Sequence, residues 1–151
     1  MALAPESRRG PVKLSRTRRA IVYLAGAGLW VTGAAWLVLH YFCVRKTDFG
    51  PQPHPLEYWS RAAHGLFGFF SLWVLGLLWA AHIVGGWQST RRRITGLATA
   101  AVLGALIVSG YLLYYVGDDR LLAWTSLIHW AIGLSLPVVF LAHRIRMTAR
   151  G

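Results

Sequence analysis

Four long apolar stretches, 20–43, 62–87, 94–116 and 121–142, constrain this chain more than any other feature. About 20 such residues cross the hydrocarbon core of a bilayer as a helix. In hydrocarbon a spanning segment must satisfy its own backbone hydrogen bonds, which a helix does. The sequence has 151 residues, 56% of them hydrophobic and only 14% charged, and no segment of domain size lies outside the four stretches. These observations predict an all-α integral membrane protein, a four-helix bundle of up-down topology. Residues 1–19 read as a basic tail, 20–146 as the transmembrane domain and 147–151 as a second short tail. Eight tryptophans and six tyrosines suit aromatic belts at the two membrane–water interfaces.

The formal net charge of +11 invites a nucleic-acid reading, but its placement argues for topology. Arg8, Arg9, Lys13, Arg16, Arg18 and Arg19 precede the first stretch. Arg91, Arg92 and Arg93 join the second to the third, and Arg144, Arg146 and Arg150 follow the fourth. The two opposite loops balance Arg45, Lys46, Arg61 and Arg120 against Asp48, Glu57, Asp118 and Asp119. The positive-inside rule therefore puts both termini in the cytoplasm, with the basic clusters facing anionic lipid. No nucleic-acid-reading module is visible, and no nucleic-acid partner is expected. The first apolar run is too long for a secretory h-region, so it is expected to be an uncleaved signal-anchor.

Short links make successive spans antiparallel, so the second and fourth run parallel to each other. The loop "VRKTDFGPQPHPLEYWSR" holds Pro51, Pro53 and Pro55 and should be extended or turned. "GDDR" is a tight turn into the fourth span, and Pro137 is expected to kink that span. The single cysteine, Cys43, permits no intrachain disulfide, and without a C-x-x-C-H motif no haem can be attached covalently.

Six histidines stand at positions 40, 54, 64, 82, 129 and 143. Ionisable residues are costly inside a membrane and are kept there for function. The second span carries His64 and His82, eighteen residues apart, and the fourth carries His129 and His143, fourteen apart. At 100° per residue the first gap closes about five full turns and the second ends about 40° out of phase, so each pair shares a helix face. The rises, about 27 Å and about 21 Å, put one histidine of each pair toward each side of the membrane. Two facing sites result, His64 with His129 outside and His82 with His143 inside. Paired imidazoles on facing helices suit a six-coordinate haem iron. Zinc fits less well, because its catalytic sites gather three close ligands. Gly65, Gly68, Gly76 and Gly133 line or flank these faces and leave room for a flat ligand.

The depths match imperfectly. His64 lies three residues from Arg61, whereas His129 lies nine from Arg120, an offset of about 6–9 Å. His40, near the outer end of the first span, is therefore a rival ligand. His54, among the loop prolines, is expected to be solvated.

The stretches "HGLFGFFSLWVLGLLWAAH" and "SGYLLYYVGDDRLLAWTSLIHWAIGLSLPVVFLAH" resemble the four-helix bis-histidine dihaem cytochromes b of bacterial inner membranes. That superfamily includes the small cytochromes b561 and the cytochrome b subunits of formate dehydrogenases and nickel–iron hydrogenases. The resemblance covers most of residues 20–146 and rests on spaced histidines in H-G and H-W-x-x-G contexts. It implies two non-covalent haems b ligated by His64, His82, His129 and His143, and multi-pass placement in a bacterial inner membrane. It further implies electron exchange between the quinone pool and a redox partner. The expected partner is a periplasmic redox protein, a multihaem cytochrome or the catalytic subunit of a respiratory complex. A quinone needs an apolar slot with a few polar groups, for which His40, Tyr58 and Arg61 are candidates, with Glu57 as a proton acceptor. Gln88, Ser89 and Arg91 are the matching candidates at the other face. The alternative is a stand-alone quinone-coupled oxidoreductase, such as a superoxide oxidase.

Overall fold

A computed structural model of the chain describes residues 15–84 and 93–148, without the side chains of residues 80–82, 93 and 146–148. Four helices carry the fold: α1 (Arg16–Phe42), α2 (Pro55–Leu78), α3 (Arg93–Tyr115) and α4 (Asp119–Thr148). All four contain a stretch long and apolar enough to cross a membrane. At most 6% of the residues in any such stretch are buried within the bundle. Helices this apolar with so little buried surface need a lipid environment around them. The expected all-α four-helix bundle is therefore the observed architecture.

The helix boundaries follow capping chemistry rather than the limits of the apolar runs. Ser15 caps α1 by accepting the Arg18 N–H at 3.3 Å. α2 starts seven residues ahead of the apolar run that contains it, because His54 and Pro55 make a strong start signal. His54 Nδ1 accepts the Leu56 N–H at 3.2 Å, and Pro55 occupies the first helical turn, where its missing N–H costs nothing. His54 is thus a helix cap, half-buried rather than simply solvated. Asp118 caps α4 through Oδ1 at 2.8 Å from the Leu121 N–H. At its other end α4 runs past the apolar stretch to Thr148.

The proline-rich loop folds into a two-stranded antiparallel hairpin, β1 (Arg45–Thr47) with β2 (Gly50–Gln52). Gly50 has φ +97°, a conformation that side chains disfavour. Thr47 Oγ1 donates to the Gly50 carbonyl at 2.9 Å and accepts the Phe49 N–H at 3.3 Å, locking the turn. At the far end, α2 passes into a π-helical segment, Trp79–Val84. Each π residue turns the chain by less than an α residue, roughly 80–90° against 100°. The five-turn count from His64 to His82 therefore does not survive, and His82 shifts in phase around the helix. In α4 the helix continues through Pro137, which leaves the Gly133 carbonyl without its intrahelical donor.

α1 packs along α2, and α3 along α4, to give two helical hairpins. Phe67 of α2 lies directly against Gly28 of α1, where any Cβ would collide with the ring. Ser60 Oγ donates to the Thr32 carbonyl at 2.9 Å across the same seam. Between the hairpins, Tyr23 meets Phe140 edge-on at 6.0 Å, and the Arg144 guanidinium lies 5.4 Å from the Tyr23 ring. Tyr114 of α3 reaches Gly65 of α2, its hydroxyl 3.6 Å from where a Cβ would stand. Gly28→Ala should overpack the α1–α2 seam and cost about 1–3 kcal/mol, read as lower resistance to unfolding in detergent. Adding Phe67→Leu should recover most of that loss; no recovery would place the Gly28 effect elsewhere.

Candidate functional site

Among the described residues, histidines take part in most of the side-chain hydrogen bonds that join one helix to another. His64 of α2 and His129 of α4 approach across the two hairpins, with ring centroids 6.2 Å apart and planes at 86°. Their depths agree once the true helix starts are used. His64 is nine residues from the start of α2 at Pro55, and His129 is ten from the start of α4 at Asp119. The offset inferred from Arg61 and Arg120 arose because Arg61 lies inside α2, two turns past its cap.

Each ring is held by its Nδ1. His64 Nδ1 lies 3.0 Å from the Leu29 carbonyl and 3.2 Å from Thr32 Oγ1. Thr32 donates its own hydroxyl proton to the Gly28 carbonyl at 2.7 Å. His129 Nδ1 lies 2.8 Å from Ser109 Oγ, whose proton goes to the Ala105 carbonyl at 2.6 Å. The Leu29 carbonyl can only accept, so it draws the His64 proton to Nδ1; for His129 the matching arrangement is an Nδ1–H donated to Ser109 Oγ, with the Ser109 hydroxyl turned to the Ala105 carbonyl. The lone pair then resides on Nε2 of each ring, the arrangement of a metal-ligating histidine.

Room for the rings is made by glycines. A Cβ on Gly33 would stand 2.9 Å from His64 Cε1, and one on Gly110 would stand 3.4 Å from His129 Cε1. The glycines against the imidazoles are therefore on α1 and α3. Gly65 and Gly133 instead meet Tyr114 and Leu106, and a Cβ on Gly68 or Gly76 would meet nothing within 4 Å. Hydroxyl and glycine are adjacent in sequence in both cases, Thr32-Gly33 and Ser109-Gly110. Histidine spacing on the second and fourth spans does not reveal this feature of the neighbouring helices.

His143 repeats part of the pattern, its Nδ1 lying 3.3 Å from Thr95 Oγ1 on α3. The side chain of its expected companion, His82, lies outside the described residues. So do Gln88, Ser89 and Arg91, the candidates near the inner pair. Among the described residues, no three His, Cys, Asp or Glu side chains gather to hold a metal ion. A closed polydentate metal site is therefore not what these residues build, whereas a pair of opposed imidazoles is present.

His40 is placed elsewhere. It lies seven residues beyond Gly33, about 10.5 Å along α1, and its Nδ1 pairs with Glu57 Oε1 at 2.9 Å. The His40 ring stacks on Trp36 at 4.8 Å. Glu57 is one of the few buried residues, 7% exposed. This pair forms one wall of a cleft of about 520 Å³ at the β-hairpin end. Tyr58, Arg61, His54 and Gln52 add polar groups to it, and Val44, Pro51, Pro53 and Pro55 add apolar ones. The structure thus brings His40, Tyr58 and Arg61 together around one opening, with Glu57 behind His40.

No protein-family model, curated protein or solved structure matches the chain. Fold and site together define its class, a four-helix chain built for a membrane with an imidazole pair between its two hairpins.

A geometric test needs no cofactor. In a Cys43→Ser background, His64→Cys combined with His129→Cys should cross-link with a short bifunctional maleimide. His40→Cys combined with His129→Cys should not. Equal cross-linking of both pairs would disprove the observed pairing.

Proposed function

We propose that this chain is a membrane cytochrome b that carries two haems b and exchanges electrons with the quinone pool. His64 and His129 would hold one haem, and His82 and His143 the other. The observation that carries this reading is the His64–His129 pair, with both Nδ1 atoms bound to the protein and both Nε2 lone pairs left over. With their centroids 6.2 Å apart, the two imidazoles could hold one haem iron between them. The glycines beside both rings support the fit of a broad, flat group, because backbone rather than side chain borders the imidazoles. When bound, haem supplies one-electron redox chemistry whose potential is set by axial ligation, hydrogen bonding and burial.

The chain's own residues divide the remaining work. Thr32, Ser109 and Leu29 orient the two imidazoles. The cleft at the β-hairpin end suits a quinone ring, with prolines and Val44 as apolar walls and Arg61 and Tyr58 as hydrogen-bonding groups. The His40–Glu57 pair can accept a proton from a bound hydroxyl and pass it to solvent, because His40 is 44% exposed at its side chain while Glu57 holds it from behind. The cleft lies about two helical turns from the imidazole pair along both α1 and α2.

The charge distribution supports a multi-pass protein of a bacterial inner membrane with the β-hairpin end outside. Electrons would then pass to or from a periplasmic redox protein, a multihaem cytochrome or the catalytic subunit of a respiratory complex.

Two measurements test this reading. Purified protein supplied with haem should show a b-type band on reduction with dithionite. His64→Ala and His129→Ala should each remove the same one of two haems, while His40→Ala should retain both. A haem-free, fully folded protein would reject the proposal. Separately, His40→Ala or Glu57→Gln should slow haem reduction by a short-chain quinol about 10²-fold, with the haem spectrum unchanged. An unaltered rate would move the quinone site away from this cleft.

A further inference from the structure

We propose that Ser109 is the positioning residue that sets the electron-donating strength of His129, and that it leaves the two imidazoles of the pair unequal. This rests on the haem reading of the His64–His129 pair and adds a role that the pairing alone does not require. Ser109 sits within an apolar helix and is one of the few buried residues, 8% exposed. With its proton turned to the Ala105 carbonyl, 2.6 Å away, it presents a lone pair toward His129. The resulting Nδ1–H to Oγ contact, 2.8 Å, is at the short end for such a bond.

His64 is held differently. Its Nδ1–H is shared between the Leu29 carbonyl at 3.0 Å and Thr32 Oγ1 at 3.2 Å. One of these acceptors is backbone, and no substitution of Thr32 removes it. The acceptor for His129 is a side chain and can be deleted. An acceptor on Nδ1–H pushes electron density toward Nε2 and makes the imidazole a stronger donor to a bound metal. A stronger donor favours the oxidised metal. Losing the acceptor therefore favours the reduced form.

Redox titration of the haem-loaded full chain should show this asymmetry. Ser109→Ala should raise the reduced-to-oxidised ratio of one haem about tenfold at a fixed solution potential, a rise of about 59 mV for one electron. Thr32→Val should give a clearly smaller shift, because the Leu29 carbonyl remains. Ser109→Thr, which keeps the hydroxyl, should restore the wild-type value. Equal shifts from Ser109→Ala and Thr32→Val, or no shift from Ser109→Ala with both haems retained, would overturn the proposal. Nitrogen NMR of ring-labelled histidine in the full chain without haem gives a second readout. His129 should be the Nδ1–H tautomer in the wild type and a tautomer mixture in Ser109→Ala; a mixture in both would also overturn it. Failure of the chain to bind haem would reject the cytochrome reading, while the NMR comparison would still report on Ser109.

Discussion

A protonated ring nitrogen inside a membrane must find an acceptor within the protein, because no water is there to supply one. The bundle is arranged around this requirement. His64 and His129 each direct Nδ1–H at an oxygen on the neighbouring helix of their own hairpin. The acceptor oxygens are available because Thr32 and Ser109 spend their own protons on carbonyls one turn back. Those contacts require close helix approach, and close approach requires Gly33 and Gly110 beside the acceptors. Hydroxyl, glycine and histidine thus form one unit, present once in each hairpin. Its result is that two lone pairs are left over between the hairpins, where the chain offers no donor of its own to meet them among the contacts described.

The same unit explains why the hairpins are more tightly knit than the bundle. Within each hairpin, hydrogen bonds and glycine contacts fix the register of the two helices. Across hairpins the contacts are rings: Tyr23 on Phe140, Tyr114 over Gly65, and His64 facing His129. Ring contacts tolerate small rotations that hydrogen bonds do not. A group held between His64 and His129 would therefore add to the weakest seam of the structure, and binding free energy there becomes folding free energy.

The four helices were legible in the sequence because apolar length alone dictates them. The meeting of His64 and His129 was legible too, since antiparallel connection makes the second and fourth spans parallel, each with a histidine toward the same side. Depth is not legible from charge, because Arg61 does not mark the boundary of the second span. The chain starts that helix at Pro55, where a proline and a capping side chain decide the matter and a cationic side chain does not. Arg61 can lie inside the helix because a long side chain reaches water from within the first turns. The partner hydroxyls are hidden in the sequence for a different reason. Thr and Ser in an apolar span normally bond their own preceding turn, and Thr32 and Ser109 do so. Only the three-dimensional register shows that the remaining lone pair is used. The π-helical segment was likewise hidden, since its residues, "WAAHIV", would suit an α-helix equally well.

The His40–Glu57 pair shows how the two ends of the span differ in chemistry. At the imidazole pair, histidine is held by acceptors that are neutral, so the site concentrates lone pairs without charge. Two turns further out, the same residue type is paired with a buried carboxylate at 2.9 Å. The two environments lie about 10.5 Å apart along α1, far enough that neither histidine shares the other's hydrogen bonds. His40 stands apart from His64 and His129 by its position, about two turns outward along α1, and by its carboxylate partner.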